Sequence, residues 1–313
     1  MRAFQLVEAG KPVRAADLAD PRPADGEVVL HVRAAGLCHT DVGYVNGELD
    51  LWTTQRPLVL GHEIAGVIAQ TGPGVTDFSV GDRVAIHSMT SLSGVARDGG
   101  YAEKTAAPAA SLVRIPDGVD FDQAAASTDA GQTAYHAVLI TGGVTEGNRV
   151  GIIGLGGLGF LGAQIAIVSG AEVFAAEPSK AGHQRAKDLG VTAVFDGAGG
   201  FEGLDLDVII DFAGVGTTTA TAVKVVRTGG RVVQVGMSVT DVTISTLDLI
   251  RREVTLAGSR AGTKDDIANV LALIAAGKIA ANIERIDFDA IPDGLRRLEE
   301  GKAGARLVAI LAS

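Results

Sequence analysis

The pattern of apolar and polar positions divides the chain into two parts. Up to about residue 120, short runs alternate apolar and polar side chains and are rich in β-branched residues, which is typical of half-buried strands. The clearest of these predicted strands are Glu27–Ala34, Ile64–Ala69 and Arg83–Ile86. Proline, glycine and aspartate separate the runs, as expected for turns. The first part of the chain is therefore predicted to be β-rich.

From residue 122 onward, short apolar strands alternate with helical segments of about ten residues. The predicted strands are Arg149–Ile153, Glu172–Ala176, Ala193–Phe195, Asp207–Asp211, Arg231–Val235 and Val254–Ala257. The predicted helices are Leu158–Val168, Ser179–Leu189, a segment near Thr217–Val226 and, after the last of these strands, Asp265–Ala276. Two further strand-like runs lie near Ile286 and Leu307. This alternation indicates βαβ units and a parallel sheet, so the fold class is predicted as α/β.

Length, charge and hydropathy exclude several classes of protein. The 313 residues suffice for roughly two domains. A net charge of −10 argues against a nucleic-acid partner. Val150–Ala171 carries no charge and is long enough to span a bilayer, but its ordered glycines indicate a strand, a turn and a helix instead. The first ten residues lack the pattern of a signal peptide. We therefore expect a soluble, cytoplasmic protein with no membrane partner.

A glycine motif follows the first strand of the parallel region. Gly154, Gly156 and Gly159 have the spacing G-x-G-x-x-G between a predicted strand and a predicted helix. The first glycine permits a tight turn, the second lets a pyrophosphate approach the backbone, and the third lets helix pack on strand. Glu177 ends the next strand, where a carboxylate accepts hydrogen bonds from a ribose diol and repels a 2′-phosphate. The motif predicts an NAD(H) site; the alternative is a glycine-rich turn without a ligand.

The single cysteine, Cys38, excludes an internal disulfide and a structural metal cluster of several thiolates. It begins the segment Cys38-His39-Thr40-Asp41, and His62 follows 24 residues after it. The run that begins at Gly61 reads G-H-E-x2-G-x5-G-x2-V. This run resembles the catalytic-zinc signature of the zinc-dependent alcohol dehydrogenases in the medium-chain dehydrogenase/reductase superfamily. The resemblance covers essentially the whole chain.

The resemblance implies a divided architecture and an activity. Residues 1–133 and 259–313 are expected to form a split, GroES-like, β-rich catalytic domain. Residues 134–258 are expected to form a Rossmann domain with a doubly wound parallel sheet. The implied reaction is hydride transfer between an alcohol, or its ketone or aldehyde, and NAD(H), with one catalytic Zn²⁺ per subunit.

The resemblance also assigns metal ligands residue by residue. Cys38 and His62 match the first two zinc ligands. Asp129 stands where the family usually has a cysteine, as in some secondary-alcohol dehydrogenases, and a carboxylate oxygen is a reasonable zinc ligand. The alternative is that Asp129 only caps a helix. Asp41 matches the carboxylate that orients the ligating histidine, and Glu63 lies beside the metal in the family as a possible transient ligand.

Further roles follow from the same resemblance. Thr40 matches the hydroxyl that contacts the substrate oxygen and starts the proton relay. A histidine that often continues this relay is replaced by Gly43, so the proton route is left to ribose hydroxyls, water or Tyr44. Leu51, Trp52 and Tyr44 are candidates for the substrate pocket. The remaining residues expected to contact the cofactor are His39, Thr133, Gly157, Leu158, Val235, Gly236, Met237 and Lys264.

Two expectations concern what surrounds the site. Between His87 and Gly100 there is no cysteine, so the family's structural-zinc lobe is missing and no structural zinc is expected. The apolar run Val242–Ser245 has the composition of a sheet edge through which two Rossmann domains pair, so we expect a homodimer or homotetramer. The substrate class is a small alcohol or ketone. The open alternatives are a zinc-free quinone or enoyl reductase of the same fold and a non-enzymatic dinucleotide-binding protein.

Overall fold

The structure, a computed structural model, describes residues 1–49 and 55–311. It divides into two compact units. The first comprises Met1–Asp129 and Thr263–Ser313, and the second comprises Ala130–Gly262. The domain boundaries predicted from the sequence, at residues 133/134 and 258/259, lie four residues away from these divisions and stay a prediction.

The first segment of the chain is rich in strands, as predicted. Its strands are β1 (Arg2–Leu6), β2 (Arg14–Asp17), β3 (Glu27–Gly36), β4 (Leu58–Val59), β5 (Glu63–Thr71), β6 (Arg83–Ile86), β7 (Lys104–Pro108) and β8 (Leu112–Arg114). Its helices are α1 (His39–Asn46), α2 (Ser88–Ser91) and α3 (Phe121–Ala126).

The second unit alternates strands and helices. Its strands are β9 (Arg149–Ile153), β10 (Glu172–Ala176), β11 (Ala193–Phe195), β12 (Val208–Asp211), β13 (Arg231–Gln234) and β14 (Thr255–Gly258). Its helices are α4 (Gln132–Tyr135), α5 (Gly157–Val168), α6 (Lys180–Asp188), α7 (Thr217–Val225) and α8 (Thr246–Arg252). The chain then returns to the first unit with α9 (Lys264–Ala275), β15 (Ile283–Asp287), α10 (Ile291–Glu299) and β16 (Arg306–Ile310).

The main sheet of the first unit brings distant parts of the chain together. Its strand order is β15-β16-β3-β5-β6-β8, and β7 pairs with β3. In the antiparallel β3–β5 ladder Gly36 lies opposite Glu63, and in the β16–β3 ladder Val308 lies opposite Gly36. The carboxyl end of β3, the start of β5 and the start of β16 therefore lie close together. Leu30, Ile64, Ile86 and Leu307 belong to the buried apolar core of this unit.

The second unit is a doubly wound parallel sheet. Its strand order is β11-β10-β9-β12-β13-β14, and all neighbouring strands are parallel. This corresponds to the order 3-2-1-4-5-6 of a dinucleotide-binding sheet. The predicted α/β fold class, with a β-rich domain and a Rossmann sheet, is confirmed, and β9, β10 and β11 have their predicted bounds. The prediction that Val150–Ala171 forms a strand, a turn and a helix is also confirmed, because β9 and α5 lie in this segment. Within the described part of the chain, no helix is long and apolar enough to cross a bilayer.

The edge prediction for Val242–Ser245 is wrong. No strand forms there; the last strand of the six-stranded order is β14. Ser245 instead caps α8, its side chain accepting a hydrogen bond from the Asp248 N–H at 3.1 Å, and Ile244 packs against the apolar core. Capping fixes the backbone of this segment at a helix start, which removes it from the sheet.

Candidate active site

The candidate metal ligands are positioned by the ends of two strands and by one irregular helical turn. Cys38 lies two residues after β3, and His62 and Glu63 lie at the start of β5, which the β3–β5 register places opposite the end of β3. Asp129 lies in the π-helical turn Ser127–Gly131 that follows α3. Such π-helical turns are common at functional sites because the extra residue redirects a side chain.

Four donor groups converge at this point. One ligand atom each from Cys38, His62, Glu63 and Asp129 can be chosen so that all lie within 4.8 Å of one another. Cys38 Sγ is 3.4 Å from Asp129 Oδ2, and His62 Nε2 is 3.8 Å from the same oxygen. A thiol, an imidazole and a carboxylate form a donor set that zinc binds in catalytic sites, where three protein ligands leave a fourth position open. The chemistry of this cluster therefore fits zinc.

Asp41 is a hydrogen-bond acceptor at the centre of this region. Its Oδ1 accepts from His62 Nδ1 at 3.1 Å and from the Gly61 N–H at 3.4 Å. Its Oδ2 accepts from the Cys38 N–H at 3.0 Å and from the Tyr101 hydroxyl at 2.8 Å. Because Asp41 engages Nδ1, the His62 ring presents Nε2 to the cluster.

Tyr101 was not predicted from the sequence. Its side chain is fully buried, and its hydroxyl also lies 3.4 Å from the Gly36 carbonyl oxygen. Buried tyrosine hydroxyls nearly always have a partner, and this one holds Asp41 through Oδ2, while His62 contacts Oδ1. Nothing local in the sequence Gly99-Gly100-Tyr101 indicates this contact, because it spans 60 residues.

Arg306 is a second residue that the sequence analysis missed. It is 6% exposed, its Nε donates to Glu63 Oε2 at 3.0 Å, and its Nη2 donates to Glu63 Oε1 and, at 2.8 Å, to Asp129 Oδ2. A guanidinium pairs well with two carboxylates because its donors form a planar fork. One signal for it exists in the sequence: Arg306 is the only charged residue of the apolar strand β16.

The electrostatics of the cluster follow from this crowding of charges. Burial would lower the pKa of His62, but the charge of Asp41 and the hydrogen bonds to Asp129 and Asp41 raise it well above its usual value. Burial would raise the pKa of Asp129, yet His62 and Arg306 hold it well below its usual range. Burial raises the pKa of Glu63 against the opposing charge of Arg306. The carboxylates of Asp41 and Asp129 thus face the basic side chains of His62 and Arg306.

Thr40, the predicted substrate-contacting hydroxyl, lies beside the cluster. Its Oγ1 is 3.5 Å from Cys38 Sγ, and its side chain is half-buried. His39 and Lys264, predicted to contact the cofactor, are the exposed first residue of α1 and the half-buried first residue of α9. Tyr44, a candidate for the pocket and the proton route, is packed in the core of the first unit. The other pocket candidates, Leu51 and Trp52, lie outside the described residues.

The glycine motif of the second unit forms the turn between β9 and α5. Gly154 has φ of +81°, which only glycine adopts freely. A Cβ on Gly159 would lie 1.8 Å from the Gly154 carbonyl oxygen, so the first turn of α5 approaches the preceding backbone more closely than a side chain permits. Gly156 is the N-cap of α5, whose first turn contains Gly157, Leu158 and Gly159. The first N–H groups of a helix are free to bind phosphate oxygens.

The other predicted cofactor residues of this unit lie at strand and helix ends. Glu177 follows β10 immediately, and its carboxylate accepts a hydrogen bond from the Leu155 N–H inside the glycine turn at 2.8 Å. Val235 and Gly236 follow β13, and both of their N–H groups donate to the Asp211 carbonyl. Met237 is 60% exposed and Thr133 is buried in α4.

The first unit carries a cluster of metal donors, and the second carries a glycine turn of the dinucleotide-binding kind. Together these features are typical of two-domain, metal-dependent dehydrogenases. Comparison with known families agrees with this class. Residues 24–117 match the alcohol dehydrogenase GroES-like domain, and residues 157–276 match the zinc-binding dehydrogenase family. The chain belongs to the zinc-binding alcohol dehydrogenase family.

Individual relatives match over almost the full chain. An alcohol dehydrogenase of Geobacillus stearothermophilus is 32% identical, with 98% of this chain and 99% of the relative covered. The solved structure of an alcohol dehydrogenase from Aeropyrum pernix has a TM-score of 0.91 at 29% identity, covering 99% of this chain and 100% of that one.

An acetophenone reductase from Geotrichum candidum, solved in complex with NAD, has a TM-score of 0.90 at 29% identity, covering 99% and 97% of the two chains. The predicted family is confirmed. The predicted activity, NAD-dependent oxidoreduction of alcohols and carbonyl compounds, is confirmed at the level of this family.

Proposed function

We propose that this chain interconverts secondary alcohols and ketones with NAD(H), using one zinc ion held by Cys38, His62 and Asp129. The observation that carries the proposal is the convergence of these three donors with Glu63 within 4.8 Å. Asp129 gives a harder donor set than a second thiolate would. The choice of a ketone as substrate is supported by one of the similar structures, which is named an acetophenone reductase. The predicted catalytic and cofactor-contacting residues, including His39, Thr40 and Lys264, form part of this proposal.

Asp129 as a ligand is favoured over Asp129 as a helix cap. Its Oδ2 atom lies 3.4 Å from Cys38 Sγ and 2.8 Å from Arg306 Nη2, so the carboxylate points into the cluster. The helix that follows, α4, has Gly131 at its N-cap and no side-chain capping bond. The geometry thus supports metal binding rather than capping.

The roles of the protein groups follow from their contacts. When bound, zinc would supply Lewis acidity to the substrate oxygen, and NAD would supply the hydride acceptor. Thr40 accepts the proton of the substrate hydroxyl and donates it back in the reverse direction. Asp41 keeps His62 in one tautomer, and Arg306 balances the negative charge of Glu63 and Asp129. Because Gly43 offers no side chain, protons leave Thr40 through water or ribose hydroxyls.

Two properties of the sequence support NAD(H) as the nucleotide and a single zinc ion as the metal. Glu177 places a carboxylate at the end of β10, where it favours the ribose diol of NAD(H) over the 2′-phosphate of NADP(H). A chain with one cysteine offers no thiolates for a structural zinc beyond the catalytic cluster. We therefore propose one zinc per subunit.

A thiol that acts as a metal ligand is best preserved in a reducing compartment, which supports a cytoplasmic location.

A homodimer or homotetramer is part of the proposal. Helix α8, which leads into the sheet-edge strand β14, has no buried residue, and its Leu247 and Ile250 are 61% and 76% exposed. An open strand edge next to exposed apolar side chains is a site at which a second copy of the chain can pair. Light scattering on the wild type and on Ile250→Glu tests this: the wild type is expected to be oligomeric and the variant shifted to monomer. A monomeric wild type at micromolar concentration contradicts it.

The central experiment measures metal content and NAD-linked turnover together. We expect about one zinc per chain in the wild type and oxidation of secondary alcohols in preference to primary ones. Cys38→Ala and Asp129→Ala should each lose zinc, because two protein ligands do not hold or position a catalytic zinc ion. Their kcat should fall at least about 100-fold. Asp120→Asn, which changes an exposed carboxylate at the start of α3, is the matched control and should retain both.

Two results would overturn the zinc mechanism. One is an active enzyme that contains no metal. The other is wild-type alcohol oxidation in both Cys38→Ala and Asp129→Ala. In either case the zinc-free quinone or enoyl reductase takes the place of the proposed function. A protein that binds NADH but turns over no alcohol or ketone would instead support the non-enzymatic alternative.

A further inference from the structure

The side chain of Glu177 is tied to two backbone amides of the second unit. Its Oε2 accepts the Leu155 N–H of the glycine turn at 2.8 Å, and its Oε1 accepts the Ser179 N–H at 2.9 Å. One carboxylate therefore joins the turn after β9 to the start of α6. Each oxygen still has a free lone pair, so the tethered carboxylate retains acceptors for ribose hydroxyls.

The tethered position of Glu177 requires space, and Gly182 leaves that space free. Gly182 is buried in the first turn of α6, and a Cβ at this position would lie 2.5 Å from Glu177 Cγ and 3.0 Å from Glu177 Cδ. Such distances are well inside van der Waals contact. The atoms concerned are in the middle of the glutamate side chain, so the whole carboxylate would have to move.

The backbone does not explain the glycine. Gly182 does not have a positive φ, and it lies inside a helix, where alanine is the better helix former by about 1 kcal/mol. The constraint on this position is therefore steric and comes from Glu177.

Two basic side chains near Glu177, Lys180 and His183, have other partners than its carboxylate. Lys180, the nearest lysine in sequence, pairs with Asp196 at 2.8 Å, and the His183 ring contacts the Glu177 backbone carbonyl rather than its carboxylate. In the described part of the chain no ion pair to the Glu177 carboxylate is seen. Its negative charge is thus available to act on a bound dinucleotide.

We propose that Gly182 is a specificity-determining residue for the dinucleotide, because it leaves the space in which Glu177 is held against the glycine turn. In that position the carboxylate fixes the turn that receives the pyrophosphate, accepts the ribose hydroxyls and repels a 2′-phosphate. The inference rests on the proposed use of NAD(H). It adds that cofactor choice depends on the pair Glu177–Gly182 and not on the acidic residue alone.

The test is the variant Gly182→Ala, with NADH and NADPH as the probes and fluorescence titration as the measurement. Displacing Glu177 removes hydrogen bonds to a charged group, so the Kd for NADH should rise about tenfold. The Kd for NADPH should change less, so the variant should discriminate less strongly between NADH and NADPH than the wild type does. The control is Gly199→Ala, whose added Cβ meets nothing within 4 Å. Relative to the wild type, the melting temperature of Gly182→Ala should fall no further than that of this control.

A double-mutant cycle separates a steric effect through Glu177 from a general effect on α6. In the background Glu177→Ala, the clash is absent, so adding Gly182→Ala should change the Kd for NADH less than about twofold. If Gly182→Ala alone lowers the melting temperature, Glu177→Ala in the same chain should restore it.

Three outcomes decide the matter. A Gly182→Ala protein with wild-type Kd values for both nucleotides overturns the inference. So does a variant that weakens NADH binding equally with and without Glu177. A wild type that binds no NADH contradicts the proposed cofactor itself, which is a different result from either of these.

Discussion

The two candidate sites of this chain are built in opposite ways. The metal-donor cluster draws on Cys38, His62, Glu63 and Asp129, which are far apart in the sequence. The pairing of β3 with β5 brings the first three together, and the pairing of β3 with β16 brings Arg306 beside them. Asp129 comes from the π-helical turn that follows α3. The dinucleotide turn is built within the short stretch 154–182 from one βαβ unit. The first site depends on strand register over the whole unit, whereas the second depends on local backbone geometry.

The chemistry of the two sites differs accordingly. The cluster holds buried charges that must balance one another, so each ligand needs partners such as Asp41, Tyr101 and Arg306. The turn offers backbone N–H groups at a helix start and is closely packed, so the positions at which a side chain would do most harm are its glycines. Damage to one site should therefore be of a different kind from damage to the other.

The largest effect is expected at the closest approach in the turn. In Gly159→Ala the new Cβ would lie 1.8 Å from the Gly154 carbonyl oxygen, so the turn must open and the Kd for NADH should rise about 100-fold. Zinc content should stay at the wild-type value. Gly156→Ala is the control for stability, because its Cβ meets nothing in the free protein. Loss of zinc in Gly159→Ala would break the separation of the two sites.

A smaller effect is expected from Tyr101→Phe in the first unit. Removing the hydroxyl that donates to Asp41 Oδ2 loosens the support of His62, and zinc affinity should fall about tenfold in a chelator competition. Binding of NADH should be unchanged. Thr105→Val removes another buried hydroxyl, which donates to the Asp98 carbonyl, and should leave zinc affinity intact. Equal losses in both variants would mean that Tyr101 acts only through stability.

The smallest effect is expected at a helix cap. In Ser179→Ala the hydroxyl that accepts from the Gly182 N–H is lost, which should lower the free energy of unfolding by about 1 kcal/mol in urea titrations. The Ser179 backbone N–H still binds Glu177, so the Kd for NADH should change less than about threefold. Ser245→Ala, which removes the cap of α8, is the parallel variant in the same unit. A tenfold loss of NADH binding in Ser179→Ala alone would show that the cap, and not the backbone, holds Glu177.

The same contrast explains what the sequence could predict. Most strands of the second unit were predicted to within one residue, because the alternation of apolar strands and amphipathic helices is a local signal. The glycine turn and Glu177 were predictable for the same reason. Cys38 and His62 were predicted only through the resemblance to the family, because they are 24 residues apart and no local pattern joins them.

Other features could not be predicted because the relevant partners lie far apart. The contacts of Tyr101 with Asp41 and of Arg306 with Glu63 span 60 and 243 residues, and no periodicity reports them. The wrong edge assignment of Val242–Ser245 has a different cause. Its apolar composition suits a strand, but Ser245 and Asp248 have the spacing of a helix start, and capping decides the local structure.

Because the chain has one cysteine, the reactivity of its thiol can be used to measure metal binding at the cluster. Cys38 is buried at 7% exposure, and any thiol reagent that modifies the protein modifies that single sulfur. A thiolate that binds a metal ion is protected from alkylation and oxidation, whereas a released one reacts as its access and pKa allow. The rate of labelling by a colorimetric disulfide reagent thus measures occupancy of the cluster in the unmodified protein. Oxidative loss of this sulfur to sulfenic acid has no second cysteine in the chain to resolve it, so recovery depends on an external thiol.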